Sequence, residues 1–284
     1  MFGDKSLLKP KLGFRRRAFR ILETLFIAYV LVVLAAFVFQ RRLIYFPTRL
    51  APNQAEQAAT ESGFTPWRNK AGQIIGWELA ATAAPTGSVL IVHGNAGCAI
   101  DRGYIASPIH DAASVGVYIL EYPGYGPRAG SPGRQSFFAA SEEAFELLPN
   151  NLPRYVVSES IGAGVACHLA KTHSSEIAGL LLFVPYHNLA SVAQRKMFLF
   201  PAYLLLFDRF SPAKDLKDYH GPVKIVLAGS DEIIPVTSGR RLFDGYEGPK
   251  DLQIVPGAHH NDVGEQSAEW WKDVFEFWRQ NAKR

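Results

Sequence analysis

The residue best suited to chemistry is Ser160, which stands in the run Tyr-Val-Val-Ser-Glu-Ser-Ile-Gly-Ala-Gly at positions 155–164. A β-branched run that gives way to small residues predicts a sharp strand-to-helix turn, which holds a serine hydroxyl clear of a sheet on a strained backbone. Gly162 and Gly164 fit that turn, whereas Ser158 occupies a position that usually holds glycine. A serine that only caps a helix gives a similar pattern, so the run needs partners before it indicates a nucleophile.

Partners for this serine lie at the ends of two later predicted strands. A serine that attacks an acyl group needs a base, and the base needs a carboxylate that orients it. Asp231 follows the strand predicted at 223–227, and His259 and His260 follow the strand predicted at 252–255. Side chains at the carboxyl ends of strands meet at one edge of an open α/β sheet. The sequence therefore predicts a triad of Ser160, Asp231 and one of the two histidines.

A glycine-containing loop completes the predicted site. The strand predicted at 88–92 opens into His-Gly-Asn-Ala-Gly at 93–97, where backbone amides have room to face the oxyanion that forms during acyl transfer. We predict an oxyanion hole made by the backbone amides of Asn95 and Ile161, the residue after the serine. Each such donor is worth about 2.7–4 kcal/mol in the transition state. A second loop, Tyr-Pro-Gly-Tyr-Gly at 122–126, is predicted beside the same cleft.

Five motifs of this chain recur together in one known group of proteins. They are His-Gly-Asn-Ala-Gly at 93–97, Tyr-Pro-Gly-Tyr-Gly at 122–126, Ser-Glu-Ser-Ile-Gly at 158–162, Gly-Ser-Asp-Glu-Ile-Ile-Pro at 229–235 and His-Asn-Asp at 260–262. From about Leu43 onward, the chain resembles the N-terminally membrane-anchored branch of the α/β-hydrolase superfamily. That branch includes depalmitoylase-like, lysophospholipase-like and serine aminopeptidase-like enzymes.

The resemblance implies a fold and a set of residue roles. The fold is of the α/β class: an α/β-hydrolase fold with a mostly parallel central sheet flanked by helices, preceded by one transmembrane helix. Ser160 matches the nucleophile, Asp231 the acid and His260 the base, because in that branch the histidine directly precedes Asn-Asp. His259 is the alternative base. Besides the serine in the first glycine position, the chain departs from the family pattern at Cys98, where relatives often carry asparagine.

An apolar run near the start predicts a single-pass membrane anchor. Residues 21–39 are apolar except for Glu23 and Thr24, and as a helix they would extend about 28 Å, close to the hydrocarbon thickness of a bilayer. More cations precede the run (Lys5, Lys9, Lys11, Arg15, Arg16, Arg17 and Arg20) than follow it (Arg41, Arg42 and Arg49). The positive-inside rule then puts the N-terminus in the cytoplasm and the hydrolase domain outside the plasma or inner membrane. A cleaved signal peptide is the competing interpretation, although no convincing small-x-small cleavage site follows the run.

The remaining pattern predicts one α/β domain. We divide the chain into a basic cytoplasmic tail (1–20), the transmembrane anchor (21–40), a membrane-proximal connection (41–72) and the hydrolase domain (73–284). Strands are predicted at 73–79, 88–92, 115–120, 154–157, 179–184, 223–227 and 252–255, and helices at 136–148, from 160 onward and at 267–280. Residues 185–215 are expected to cover the site. The apolar run at 196–207 within them fits either an ordinary buried helix or a greasy lid.

Composition argues against several other classes of function. The net charge of +4 comes mostly from the N-terminal tail, and no pattern of aromatic and basic residues indicates nucleic-acid binding. The two cysteines, Cys98 and Cys167, have neither metal-ligand spacing nor a disulfide framework. The adjacent side chains of His259 and His260 diverge, and no carboxylate or thiol cluster joins them. We therefore expect no metal and no cofactor.

These patterns together predict a membrane-anchored serine hydrolase that cleaves an acyl ester or thioester. Its expected partners are a small-molecule or lipid acyl substrate, or an acylated protein, and the membrane bilayer. A serine peptidase is the alternative among enzymes, because one fold hosts many chemistries. The alternative outside enzymes is a membrane-tethered binding protein that keeps the fold without catalysis. Ser158 and Cys98 favour that alternative, and the complete set of triad residues disfavours it.

Overall fold

The N-terminal helix and the rest of the chain form two separate units. The computed structural model describes residues 11–81 and 84–282. The first unit ends at Leu43, and the second begins at Ile44 and runs to the end of the chain. The fold that carries the predicted site lies entirely in the second unit.

Helix α1 (Lys11–Ile44) is, among the described residues, the only helix long and apolar enough to cross a membrane. Its mean hydropathy reaches 2.6, and large apolar side chains such as Phe26 are exposed along it. The helix begins ten residues before the anchor expected at 21–40, because the arginines at 15–17 and 20 are good helix formers. Residues 1–10 of the expected basic tail lie outside the described part. A signal sequence has the same length and composition, so the role of α1 as an anchor stays a prediction.

The second unit is built on one large sheet. Its strands, with two short ones beside it, are β1 (Phe46–Pro47), β2 (Thr65–Arg68), β3 (Ile74–Leu79), β4 (Ser88–Val92), β5 (Ala96–Gly97), β6 (Gly116–Leu120), β7 (Arg154–Glu159), β8 (Ile177–Phe183), β9 (Val223–Ala228) and β10 (Lys250–Val255). Eight of them pair in the order β10-β9-β8-β7-β4-β6-β3-β2, while β1 pairs only with β5. The pairs β2–β3 and β3–β6 are antiparallel, and the other five pairs in that sheet are parallel. The predicted mostly parallel sheet is therefore confirmed.

Helices cover both faces of this sheet. They are α2 (Pro52–Glu61), α3 (Gly103–Ala112), α4 (Arg134–Leu147), α5 (Gly162–Thr172), α6 (Leu189–Lys196), α7 (Ala202–Leu205), α8 (Pro212–Asp215), α9 (Val236–Asp244) and α10 (Ala268–Asn281), with 3₁₀ turns at Ala99–Arg102 and Leu216–Asp218. Because side chains alternate along a strand, each strand contributes to two cores. In β4, Leu90 and Val92 join the core beneath α4 and α5, whereas Val89 and Ile91 join the core beneath α3 and α10.

The fold differs from the sequence-based expectation near the start of the domain. The predicted strands all form, with ends within about two residues of the expected ones. However, the expected connection at 41–72 is part of the folded domain, since it holds α2 and the edge strand β2. Periodicity missed β2 because the strand is short and contains Pro66, and missed α2 because it buries only Ala55 and Ala59. The domain therefore begins at Ile44 and not at 73.

The sheet order fixes where a site can form. After β4 the chain crosses to β6 on one side of β4, and later returns to β7 on the other side. Such a switch in direction leaves a crevice at the carboxyl ends of the two inner strands, which is where ligands bind in open α/β sheets. The loop at 93–97 follows β4, and Ser160 follows β7. The predicted chemistry thus lies at the crevice.

Candidate active site

Ser160 occupies a strained turn between β7 and α5. Its φ of 53° lies in the left-handed region, which a non-glycine residue rarely adopts. The turn is held because the Ser160 amide donates to the Phe183 carbonyl at 2.9 Å. It also requires glycine at 162, where a Cβ atom would lie 2.3 Å from the Val92 carbonyl oxygen. The backbone thus has the geometry predicted for a nucleophile turn.

Ser160, His260 and Asp231 form one continuous hydrogen-bonded chain. The distance from His260 Nε2 to Ser160 Oγ is 3.0 Å, and that from His260 Nδ1 to Asp231 Oδ2 is 2.8 Å. An ionised carboxylate only accepts hydrogen bonds, so Nδ1 of His260 donates and Nε2 accepts from the serine hydroxyl. Both ends of the imidazole are largely shielded, since His260 is 5 % exposed and Ser160 8 %. This arrangement can remove a proton from the serine.

Asp231 is oriented by the loop that follows β9. Its Oδ1 atom accepts hydrogen bonds from the backbone amides of Ile233 and Ile234, at 2.8 and 2.7 Å. These bonds leave Oδ2 to face the histidine. The Asp231 side chain is almost fully buried, which strengthens its interaction with the imidazole.

The neighbouring histidine is directed elsewhere. The side chain of His259 is 65 % exposed and its Nδ1 lies 3.2 Å from the Glu232 carboxylate. Adjacent residues in this turn point apart, and only His260 reaches Ser160. Geometry therefore favours His260 over His259 as the base.

The loop at 93–97 is tied down by surrounding hydrogen bonds. The Asn95 carbonyl accepts from the Phe46 amide and from the Tyr125 hydroxyl, both at 2.8 Å, and the Asn95 side chain donates to the Ile44 carbonyl at 2.7 Å. Within residues 11–81 and 84–282, no group accepts from the backbone amides of Asn95 and Ile161. The two predicted oxyanion donors are thus unused by the fold. The Tyr-Pro-Gly-Tyr-Gly loop supports the loop at 93–97 through the hydroxyl groups of Tyr122 and Tyr125, a role that the sequence did not reveal.

Ser158 is accommodated inside the sheet. It is fully buried in β7, where it pairs with Val92 and Leu182, and its hydroxyl lies 3.5 Å from the Leu181 carbonyl oxygen. The side chain that departs from the usual glycine is therefore absorbed without disturbing the contact between Ser160 and His260.

A buried ion pair that sequence reasoning missed lies directly behind the serine. Glu159 accepts hydrogen bonds from Arg102 Nε and from the Tyr104 hydroxyl, each at 2.9 Å. Arg102 also donates to the Ala96 carbonyl at 2.9 Å, so it links the turn at Ser160 to the loop after β4. Burial, the largest single cause, acts to lower the pKa of Arg102, but the charges of Glu159, Tyr104 and Asp101 together with the hydrogen bond to Glu159 raise it. The only sequence signal was a glutamate at the end of a buried strand, between Ser158 and Ser160.

The two cysteines are poorly suited to act as nucleophiles. Both cysteines are free and buried, and burial together with the nearby charges of Glu121 and Asp101 raises the pKa of Cys98 to about 12. A thiol with that pKa stays protonated and is a poor nucleophile. In the described part of the chain, no group of three or more histidine, cysteine or acidic side chains is arranged to hold a metal ion.

The sequence was compared with protein-family models and with known proteins. No protein-family model matches it. The chain is 32 % identical over 230 residues to an uncharacterized protein of Mycobacterium tuberculosis, covering 78 % of this chain and 81 % of that protein. It is 28 % identical over 186 residues to human alpha/beta hydrolase domain-containing protein 17B, covering 62 % and 61 % of the two chains.

The fold is also that of a solved esterase. The structure of an esterase from Pyrococcus furiosus superimposes with a TM-score of 0.61 at 15 % identity, covering 83 % of this chain and 99 % of the esterase. At that identity the likeness concerns the fold, which agrees with the sheet order and the strand-end site described above. The chain belongs to the α/β-hydrolase superfamily and is a hydrolase of that fold.

Proposed function

We propose that this protein is a serine hydrolase that cleaves an acyl ester or thioester at a membrane surface. The observation that carries the proposal is the chain of hydrogen bonds from Asp231 through His260 to Ser160, at 2.8 and 3.0 Å. These three groups are shared by enzymes that activate a serine for acyl transfer. A serine in a strained turn, with an imidazole within reach and a buried carboxylate behind it, has no simpler structural purpose.

The proposed reaction proceeds through an acyl-enzyme. His260 Nε2 takes the hydroxyl proton as Ser160 Oγ attacks the acyl carbonyl carbon, and Asp231 stabilises the imidazolium that forms. The imidazolium then gives this proton to the leaving alcohol or thiol, and the bond to the leaving group breaks. His260 then takes a proton from water as the water attacks the acyl-enzyme, and returns that proton to Ser160 Oγ as the acyl–serine bond breaks and the carboxylic acid leaves.

The unused amides of Asn95 and Ile161 are the proposed oxyanion hole. In the tetrahedral intermediate the carbonyl oxygen carries a negative charge, which two backbone donors would stabilise. Because hydrogen bonds hold the loop at Asn95 before substrate arrives, little reorganisation is needed during the reaction. Such preorganisation is the main source of electrostatic catalysis.

The substrate class is inferred from the relatives and from α1. The similar solved structure is named as an esterase, which favours an oxygen or sulfur ester over an amide. Helix α1 has the length and composition of a membrane span, so we infer an anchored enzyme that meets lipids or acylated proteins. The excess of cations before the span over those after it favours a cytoplasmic N-terminus.

A series of acyl substrates tests this proposal. The purified full chain would be assayed with p-nitrophenyl esters of increasing chain length, an acyl thioester and an aminoacyl amide. We expect ester and thioester cleavage, and a fall of about 10⁴-fold or more in kcat for Ser160→Ala. Cleavage of the amide alone would indicate a peptidase. No turnover of any substrate by folded protein would contradict the proposal and favour a binding protein.

Ser238 provides a matched control for the serine variant. Like Ser160 it is buried and contacts a histidine, since its Oγ lies 2.9 Å from His187 Nδ1. Among the described residues, however, no carboxylate forms a hydrogen bond with His187. Ser238→Ala should therefore leave kcat within about a factor of a few of wild type, because it removes a serine–histidine contact that has no triad.

A further inference from the structure

The segment 188–210, here called the cover, follows β8 and packs on the domain through one side. Its two ends meet where the Leu189 amide donates to the Phe210 carbonyl at 3.0 Å. Phe200, Ala202 and Leu206 point inward and are at most 7 % exposed. The cover is thus attached at its base and along its inner side.

The outer side of the cover presents large apolar side chains to its surroundings. Phe198 and Leu204 are 77 % and 76 % exposed, and Tyr203 and Met197 are 53 % and 40 % exposed. Exposed apolar side chains concentrated in one segment of a folded domain indicate a surface that contacts a protein or a membrane.

Hydrogen bonds hold these side chains in place, so their exposure is not a consequence of an unfolded loop. The Gln194 side chain donates to the Phe198 carbonyl at 3.1 Å and accepts from the Ala202 amide at 2.9 Å. The hydroxyl groups of Ser191 and Tyr203 are 2.5 Å apart. The two turns that carry Phe198 and Leu204 are therefore built to display them.

The same face is cationic. Arg195, Lys196 and Arg209 are exposed beside the apolar side chains. The one acidic residue in 188–210, Asp208, is only 3 % exposed and accepts a hydrogen bond from the Arg134 amide. Exposed apolar side chains with flanking cations match the interface of a bilayer that contains anionic lipids. An exposed carboxylate, Glu232, lies at the edge of the cover, where Lys196 contacts its backbone carbonyl and His259 Nδ1 lies 3.2 Å from its side chain.

The cover also lies next to the candidate active site. Lys196 Nζ contacts the backbone carbonyl of Glu232, the residue after Asp231, and Ile233 is 43 % exposed beside it. The candidate membrane span ends at Ile44, where the domain begins, so the chain itself keeps the domain close to any bilayer that α1 crosses. We propose that the outer face of the cover docks on that bilayer, with Phe198 and Leu204 inserted among anionic lipids. The statement that docking brings the active site to its substrate rests on the proposed function. The docking of the cover on the bilayer does not.

Fluorescence from a single site tests the docking. The full chain would be reconstituted in phosphatidylcholine–phosphatidylglycerol vesicles with an environment-sensitive dye on Phe198→Cys. Both native thiols are buried, which makes labelling selective, and unlabelled wild type gives the background. The control is the dye on Arg279→Cys, an exposed position on α10, which packs on the other face of the sheet.

We expect the dye at 198 to shift to shorter wavelength and to be quenched by a lipid-borne quencher, whereas the dye at 279 is quenched by aqueous iodide. Equal iodide quenching at both sites would overturn the docking. A dye at 198 that is shielded from iodide only at high protein concentration in lipid-free detergent would also overturn the docking. That result would show that a second copy of the chain, and not the bilayer, covers this face.

Activity measurements separate this inference from the proposed function. In a Phe198→Asp, Leu204→Asp variant we expect cleavage of a long-chain ester embedded in vesicles to fall about tenfold or more, with cleavage of a soluble short-chain ester unchanged. The Ser160→Ala protein should keep the fluorescence signature of wild type. If the dye at 198 is shielded but the wild-type protein cleaves no ester, the proposed hydrolase activity is overturned and docking stands. If the protein cleaves esters but the dye at 198 is exposed to water, docking alone is overturned.

Discussion

The candidate site depends on one strained serine and on the glycine two positions after it. Ser160 holds a left-handed φ of 53°, which costs of order 1–3 kcal/mol and persists only where the surroundings fix it. Gly162 lets α5 begin against the end of β4, because any Cβ atom there would collide with backbone. The position of the serine and the packing of the helix are therefore set by the same contact.

Gly162→Ala tests this contact. The new Cβ atom would lie 2.3 Å from the Val92 carbonyl oxygen and 2.7 Å from that of His93, so α5 must move away from β4. We expect a loss of roughly 1–3 kcal/mol in the free energy of unfolding, measured by urea denaturation, and a lower kcat. Gly103→Ala is the control, since its nearest neighbour is the Phe64 ring at 3.7 Å. Equal stability of the two variants would contradict the account.

Arg102→Gln tests the buried ion pair behind the serine. The change leaves the Glu159 carboxylate buried without its cation, which typically costs about 3–5 kcal/mol. The matched control is Arg68→Gln, because Arg68 forms a bridge of 2.6 Å with Glu56 in which both side chains are more than 40 % exposed. That exposed pair should contribute about 0–1 kcal/mol. If Arg102→Gln lowers the free energy of unfolding no more than the control does, the account is contradicted, because the Glu159 carboxylate would not depend on Arg102.

The sequence located the residues that meet at the site because each one directly follows a strand within a recognisable motif. Ser160, Asp231 and His260 are spaced far apart in the chain and are joined only by the sheet order. The ion pair was missed because Arg102 belongs to no motif, and its partner Glu159 was hidden between two serines. A buried charge requires a counter-charge, but its position depends on tertiary packing that no local pattern encodes.

Among the secondary-structure elements, a polar cluster joins the two helices that lie behind the nucleophile turn. Glu142 on α4 accepts hydrogen bonds from Thr172 of α5 at 2.8 Å and lies 2.6 Å from His173 Nε2. Its other neighbour is His168 Nε2, at 3.1 Å. The cluster fixes the end of the helix that starts just after Ser160.

The cluster shifts the pKa of its members in opposite directions. Burial acts to raise the pKa of Glu142, but hydrogen bonds from His168, His173 and Thr172 outweigh it and lower the pKa to about 2. Burial acts to lower the pKa of His173, yet hydrogen bonds with Glu176 and Glu142 raise it. The contribution of Glu142 is present above its unfolded pKa near 4.3 and is lost as the pH falls towards 2. The contribution of His173 is complete below its unfolded pKa near 6.5 and is lost as the pH rises through the folded value.

Glu142→Gln should therefore destabilise the protein most between about pH 4.5 and 6.5. We expect a loss of about 1 kcal/mol or less near pH 5.5, because the cluster is partly exposed and solvent screens it. The loss should be smaller near pH 9, because the contribution of the His173 imidazolium is lost as the pH rises through its raised folded pKa. Unfolding by urea at both pH values measures the difference, with Glu146→Gln on α4 as the control. A loss that does not change with pH would mean that protonation of His173 does not contribute to the cluster.

How well an element was predicted depended on its burial. The central strands β4, β7, β8 and β9 are largely buried on both faces, which is why each contains an apolar run that was visible in the sequence. The edge strand β2 and helix α2 bury little surface and leave only a weak pattern. The cover was expected at 185–215, but no periodicity revealed its division into α6 and α7, since the turn between them is set by side-chain hydrogen bonds from Gln194.

For the whole molecule, an apolar helix, a hydrolase domain and an apolar, cationic cover favour one arrangement at a membrane. The sequence predicted the span, and α1 contains it within a longer helix. The sequence did not predict which side of the cover faces outward, because exposure depends on packing against the rest of the domain. Neither anchoring nor docking requires the protein to be an enzyme. If it is one, both would hold its active site close to a membrane substrate.

Labelling by a fluorophosphonate probe is the most direct test of the central claim, because the probe reacts covalently with a serine only when its base is in place. The full chain in membranes would be compared with Ser160→Ala, His260→Ala and His259→Ala. We predict strong labelling of wild type and of His259→Ala, and none of Ser160→Ala or His260→Ala. No labelling of folded wild type, or equal labelling of Ser160→Ala, would contradict the assignment of Ser160 as the nucleophile.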